Sequence, residues 1–198
     1  MSPSLLARIA GITPPAFIMG GFAEDLLLDG RSDRPHKDLD LLVRRAELEA
    51  LLEQLSAAGV EEWQVVLADR EGRPLLLSGR AALDDPAQPD GLEVEVYAAT
   101  PEPGAGFSFD VPAEGPAGRR RLFVPPGTFD YPATRLPGLT VHTVSPWALA
   151  LMRAASAQTR HTGEKQARDL AMLARLREAF LPSLSDEQLQ PRIESVLF

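Results

Sequence analysis

The chain has 198 residues, no cysteine, 44% hydrophobic residues and a formal charge of -8, a length that suffices for one domain or a core with an appendage, without disulfides or a thiolate metal clip. The net negative charge disfavours tight nonspecific binding to nucleic acid or acidic lipid, and no run of about 18 apolar residues is available to span a bilayer. An N-terminus without a basic start or a continuous apolar stretch reads as mature structure rather than a secretory signal, and the cysteine-free composition fits a reducing cytoplasm.

In chain order, residues 3–11 predict a short helix started by Ser2 or Ser4 and stopped near Gly11, ahead of the Thr13-Pro14-Pro15 break. Ala16-Phe17-Ile18-Met19 is a short apolar run of the buried-strand type, halted at Gly20-Gly21. The period then changes: Phe22, Ala23, Leu26 and Leu27 share a helical face, and Gly30 is placed to cap that helix at its C-terminus. A charged loop over 31–37 leads into the alternating strand Asp38-Leu39-Asp40-Leu41-Leu42-Val43. Residues 46–57 predict a helix with Leu48, Leu51, Leu52 and Leu55 inward, closed by Gly59. Two antiparallel strands follow at 60–67 and 74–77 around the Asp69-Arg70-Glu71-Gly72 turn, and 92–97 alternates again. The Pro- and Gly-rich stretches 100–118 and 125–139 predict long ordered loops around a short strand at 121–124.

The last third predicts helices. Ser145-Pro146 is an N-cap followed by proline in the first turn, starting a helix to about 155. A second helix over 163–180 has Ala167, Leu170, Ala171 and Ala174 at core-facing spacing, and a third, short helix is expected after Ser185. Charge changes sign on the way: residues 1–118 carry nine Lys/Arg against twenty-one Asp/Glu, and 119–178 carry ten against four. A boundary near 140 follows, dividing a core at 1–140 from a helical region at 141–198. Arg119-Arg120-Arg121 reads as a solvated loop, Trp63 and Trp147 as core residues, and His142 and His161, lacking a second ligand at metal spacing, as structural or exposed.

Side chains two apart on a strand project from one face, so Asp38 and Asp40 point together while Leu39, Leu41 and Val43 point away. Two such anions repel, and a divalent cation with a taste for hard oxygen ligands, Mg2+, is the natural partner. Glu93 and Glu95 repeat the pattern, and on a neighbouring strand either would complete a three-carboxylate cluster. A double glycine at a strand-to-helix junction bares backbone N–H groups at a positive helix terminus, a setting for phosphate.

The run from Met19-Gly20-Gly21 through Asp25-Leu26 and Gly30-Arg31 to Arg34-Pro35-His36-Lys37-Asp38-Leu39-Asp40 resembles the signature of the DNA polymerase beta superfamily of nucleotidyltransferases. Within it, the sequence is most similar to small aminoglycoside and lincosamide nucleotidyltransferases. The resemblance implies an α/β (α+β) nucleotidyltransferase fold, a short mixed sheet backed by helices, with the 141–198 helices closing a cleft. It implies Asp38, Asp40 and Glu95 as catalytic carboxylates on two Mg2+ ions, with Glu93 competing for the third place. Gly20, Gly21, Arg34 and His36 fall at the nucleotide, and Lys165, in a Lys-x-x-x-Asp-Leu run ending Asp169-Leu170, is similar to a phosphate-binding position. The implied reaction moves a nucleoside monophosphate, AMP from ATP, to a hydroxyl of a small antibiotic-like molecule. A toxin-type acceptor, tRNA or protein, and a non-catalytic nucleotide-binding module of the same fold remain open alternatives.

Overall fold

Which segments go inside is decided by runs of apolar side chains. The computed structural model describes residues 3–31, 36–82, 91–104, 106–113, 118–136, 138–159 and 163–196. It begins with helix α1 (Pro3–Ala10), strand β1 (Phe17–Ile18) and helix α2 (Gly20–Asp29). Gly30 ends α2 in the left-handed region at φ 69°, a conformation that costs other L-residues a Cβ clash. Strand β2 (Asp38–Arg44), a 3-10 turn and helix α3 (Leu48–Ala57) follow, with Leu48, Leu51 and Leu55 buried as their spacing requires. The hairpin β3 (Val60–Ala68) and β4 (Pro74–Ala81) and the long strand β5 (Leu92–Glu102) complete the first half.

The strand order is β10-β7-β6-β5-β2-β1-β9-β8, with β4 joined to β5 and β3 joined to β4. β5 is the hinge of this mixed sheet. Its first half lies between parallel β2 and antiparallel β4, and beyond residue 99 its partner becomes β6 (Gly106–Pro112). Both central strands are unequally covered. In β2 and β5 the first positions alternate between exposed or half-buried acids and buried apolar residues, whereas Leu41, Leu42, Val43 and residues 96–99 are all buried. The acidic residues therefore occupy the half of each strand whose second face stays open.

The short strand expected at 121–124 is β7 (Arg119–Val124). The stretches 100–118 and 125–139, expected as long loops, are partly sheet, carrying the end of β5, β6, β8 (Thr134–Leu136) and the start of β9 (Leu139–Thr143), with a 3-10 turn at Pro126–Phe129. Proline and glycine sit mainly at strand ends and turns there, such as Pro112 at the end of β6 and Gly104 at φ 71° between β5 and β6, where they do not interrupt a ladder. Arg119-Arg120-Arg121 is thus strand, not solvated loop. Position 140 falls within β9, which pairs in parallel with β1.

Helix α4 (Pro146–Thr159) starts where Ser145 Oγ accepts the Ala148 N–H at 3.2 Å. Helix α5 (Glu164–Phe180) packs along α4, and both pack against α2. α5 is turned from the expected face: Ala167, Leu170, Ala171 and Ala174 are exposed, and Asp169 and Leu176 are buried. A buried ion pair, described below, draws Asp169 inward and sets the rotation. The third helix is absent among the described residues; after reciprocal Ser185–Gln188 bonds the chain forms β10 (Ile193–Val196), antiparallel to β7. No helix among the described residues is long and apolar enough to cross a membrane.

Candidate active site

The parallel register of β2 and β5 sets Asp38 opposite Glu93 and Asp40 opposite Glu95. Four carboxylates therefore share one face, and their like charges are worked out differently at each. Glu93 is exposed and accepts the Ser78 hydroxyl at 2.7 Å; Asp38 is exposed as well. Glu95 is half-buried and takes the Tyr97 hydroxyl on Oε2.

Asp40 is the most constrained. Burial first, then the charges of Asp38 and Glu95, push its carboxyl well above the usual range, with Arg153 working in the opposite sense. Burial also raises Glu95, opposed by the Tyr97 hydrogen bond. Asp40 and Glu95 stand opposite each other in the register, and the charge of Glu95 adds to the upward push on Asp40. Burial and the same neighbouring acids drive Tyr97 up as well, so its hydroxyl stays protonated and donates.

The double glycine meets this cluster directly. Met19 N–H donates to the Asp40 carbonyl at 2.9 Å, joining the end of β1 to β2. α2 starts at Gly20 with no side-chain cap, and a Cβ on Gly20 would stand 2.2 Å from Asp40 Oδ2 at φ 65°. Only glycine allows the helix start and the carboxylate to approach so closely. Gly21 follows in the first turn.

The other expected positions divide. His36 is buried, with Nε2 2.9 Å from Asp25 Oδ2 and its ring on Phe22, so it ties the segment before β2 to α2 rather than facing the cleft. Arg34 and His161 lie outside the described residues. Lys165 is exposed and lines a pocket with Arg168, Arg175, Glu24 and Arg153, which is separate from the cleft at Asp40 and shares only Glu24 and Arg153 with it. His142 packs on Phe17, and Trp63 and Trp147 are half-buried, Trp147 donating to the Gln188 carbonyl.

Four residues not singled out from the sequence shape the site. Arg153 of α4 bonds both oxygens of Glu24, buried on α2, and donates Nη1 to Asp169 Oδ1 at 2.8 Å. Ser156 supplies Asp169 Oδ2 at 2.8 Å. Burial works against the charge of Arg153, and the two acids more than offset it. Tyr97 had a usable signal, lying two residues after Glu95 on one strand face. Glu24, Arg153 and Ser156 had none, because their partners are distant in the chain. The cleft beside Asp40 has a volume of about 310 Å3, walled by β5, β6, β7 and β10 on one side and α4 on the other.

As folded, no three His, Asp or Glu side chains among the described residues stand in the spacing of a formed metal centre. The donors nevertheless suit a hard cation. They are carboxylate oxygens alone, in mutual repulsion that a divalent ion would offset.

Two solved structures share this fold. The solution structure of the antibiotic-resistance factor ANT(2'')-Ia is 18% identical, covers 94% of this chain and 85% of its own, and superposes with a TM-score of 0.57. The crystal structure of ANT(2'')-Ia in complex with adenylyl-2''-tobramycin is 19% identical, covers 88% and 82%, and gives 0.53. No curated protein matches the sequence. The model of the aminoglycoside-2''-adenylyltransferase family matches residues 4–113, which include the glycine junction and all four facing carboxylates. Since that match takes in more than half of the chain, the protein belongs to the aminoglycoside-2''-adenylyltransferase family and is a nucleotidyltransferase.

Proposed function

We propose that the protein transfers AMP from ATP to a hydroxyl of a small, antibiotic-like molecule and releases pyrophosphate, with Mg2+ as its metal. The observation that carries this reading is the packing of Gly20 against Asp40, with Glu95 in contact, at one end of an open cleft. Asp38, Asp40 and Glu95 would hold the metal, two ions in this reading, whose chemistry is to neutralise charge on the triphosphate and to acidify the acceptor hydroxyl. Gly20 and Gly21 direct amides of the α2 start at phosphate. Lys165, exposed on α5 in the neighbouring pocket, would meet only phosphates that extend past the Glu24–Arg153 wall, and His36 holds the strand approach by its bond to Asp25. The acceptor oxygen attacks the α-phosphorus as the bond to the bridging oxygen breaks, and Glu95 either shares a metal or takes the acceptor proton. In this reading 1–140 carries the chemistry and 141–198 closes the cleft.

A macromolecular polyanion is the weaker acceptor. Half of the ten cations in the stretch 119–178 are spent internally: Arg119 and Arg121 pair with Asp110, Arg153 with Glu24 and Asp169, Arg175 with Asp29, and Arg177 with Asp186. The test is calorimetry with MgATP, followed by pyrophosphate release over a panel of drugs, tRNA and protein, for the native chain and Asp38→Asn/Asp40→Asn. Native binding that disappears in the variant, with turnover lower by on the order of 10^3-fold, is expected. Binding indifferent to both substitutions sinks the reading; binding without turnover on any acceptor favours a non-catalytic module.

A further inference from the structure

The family name points to polycationic aminosugars, and the cleft is a poor receptacle for one. Its walls are Tyr97, Phe109, Val111, Leu122, Leu149 and Met152, most of them buried or half-buried. Its charged residues among those described are Asp40, Glu24, Arg153 and Arg120. Glu24 has both oxygens taken by Arg153, and Asp40 belongs to the transfer centre. Among the described lining residues no carboxylate is left over for an ammonium group.

Arg120 is the reverse case. Strand alternation sends Arg119 and Arg121 to the far face, where both grip buried Asp110. It turns Arg120 into the cleft with Leu122, opposite Val111 on β6 and Ser195 on β10. There Arg120 makes no ion pair or hydrogen bond with any described residue, although it is half-buried. A guanidinium in an apolar cleft favours an anion and repels an ammonium, and the low-polarity walls strengthen both effects.

We infer that the acceptor is a hydroxyl compound with an apolar body and an anionic group, a carboxylate or its equivalent, received by Arg120 while the hydroxyl reaches the Asp40 end. This inference rests on the reading of that end as the transfer centre. Arg120 is then a specificity-determining residue, and the apolar walls contribute through area removed from water.

The test uses three probes that share a ten-carbon chain and a hydroxyl but differ in charge: 10-hydroxydecanoate, decane-1,10-diol and 10-aminodecan-1-ol, with tobramycin as the polycation. Binding to the full chain is measured by calorimetry with and without MgATP. The expected order is acid tightest, diol next, amine and tobramycin weakest. Arg120→Gln should weaken the acid by about 10- to 100-fold and leave the diol and MgATP unchanged, and Arg120→Lys should restore part of the loss. An amine or tobramycin that binds as well as the acid overturns the inference. So does an absence of binding by all probes, or an Arg120→Gln that weakens MgATP instead. A native chain that does not bind MgATP would instead defeat the proposed function and with it the acceptor role, while the probe ranking would still decide whether Arg120 receives an anionic group.

Discussion

Two sets of acids meet around α2, and the protein treats them in opposite ways. At Glu24 and Asp169 each of the four carboxylate oxygens has a donor, three from Arg153 and one from Ser156. At Asp40 and Glu95 burial and the neighbouring acids push both carboxyls up, opposed at Glu95 by the Tyr97 hydroxyl, and Asp38 and Glu93 add more negative charge to the same face. The first set ties three helices together. The second is held in repulsion by the surrounding fold, the mark of a group poised for a ligand of opposite charge. Chemical type alone does not separate a structural acid from a reactive one; the local supply of donors does.

Breaking the matched set has the largest expected effect. Arg153→Met leaves Glu24 and Asp169 without their cation in a buried setting, and destabilisation of about 3–5 kcal/mol is expected in urea unfolding. Adding Glu24→Gln and Asp169→Asn to Arg153→Met should recover much of it. If the single substitution costs no more than a surface change, the two sets do not differ as described.

The glycines sharpen the same contrast. Gly20→Ala meets Asp40 Oδ2 at 2.2 Å, whereas Gly30→Ala, at a similar positive φ, meets nothing within 4 Å. Both should lose about 1–2 kcal/mol of stability from the left-handed backbone. Only Gly20→Ala should also lower nucleotidyl transfer, by on the order of 10^2-fold, because it displaces the carboxylate. Equal activities would separate Gly20 from the transfer centre.

Tyr97→Phe removes the donor that opposes the upward shift of Glu95. Activity should fall by about 10-fold, and the acidic limb of the pH–rate profile should move to higher pH. A limb that stays in place would show that Glu95 is not the group titrating.

The smallest effect is thermal. Asp40 and Glu95 are raised above their unfolded values, so without divalent metal their contribution to stability is complete below the ordinary carboxylate range and is lost as pH rises through the raised values. Asp40→Asn should remove part of this loss and melt higher than the native chain at pH 7 in chelator, by about 2–4 °C for each kcal/mol relieved. Excess Mg2+ should reverse the order. A native chain that melts higher even in chelator would mean that the carboxylates are not in conflict.

Much of the site was legible because it obeys short-range rules. Asp38 and Asp40 share a face by the two-residue strand period, Gly30 caps α2, and Ser145 starts α4, each within a few residues of its cause. The pairing of Asp40 with Glu95 was readable only as a condition, since it requires β2 and β5 to be neighbours. Helix periodicity misplaced the face of α5 because it counts Ala167, Leu170 and Ala171 as apolar and Asp169 as polar, while Arg153 makes burial of Asp169 favourable. The proline- and glycine-rich middle misled for a related reason: β6 gains its stability from its partners β5 and β7, not from composition.

By itself, the sequence determined the glycine junction, the acidic strand and the family, since these depend on neighbours along the chain and on side-chain type. Only the tertiary structure decided which acids are matched by cations, that Arg120 faces the cleft while Arg119 and Arg121 face Asp110, and that the last residues return as β10 to wall it. Those outcomes depend on charges and hydrogen-bond partners brought together from as far apart as Glu24 and Arg153. Distances of that kind exist only once the chain has closed on itself.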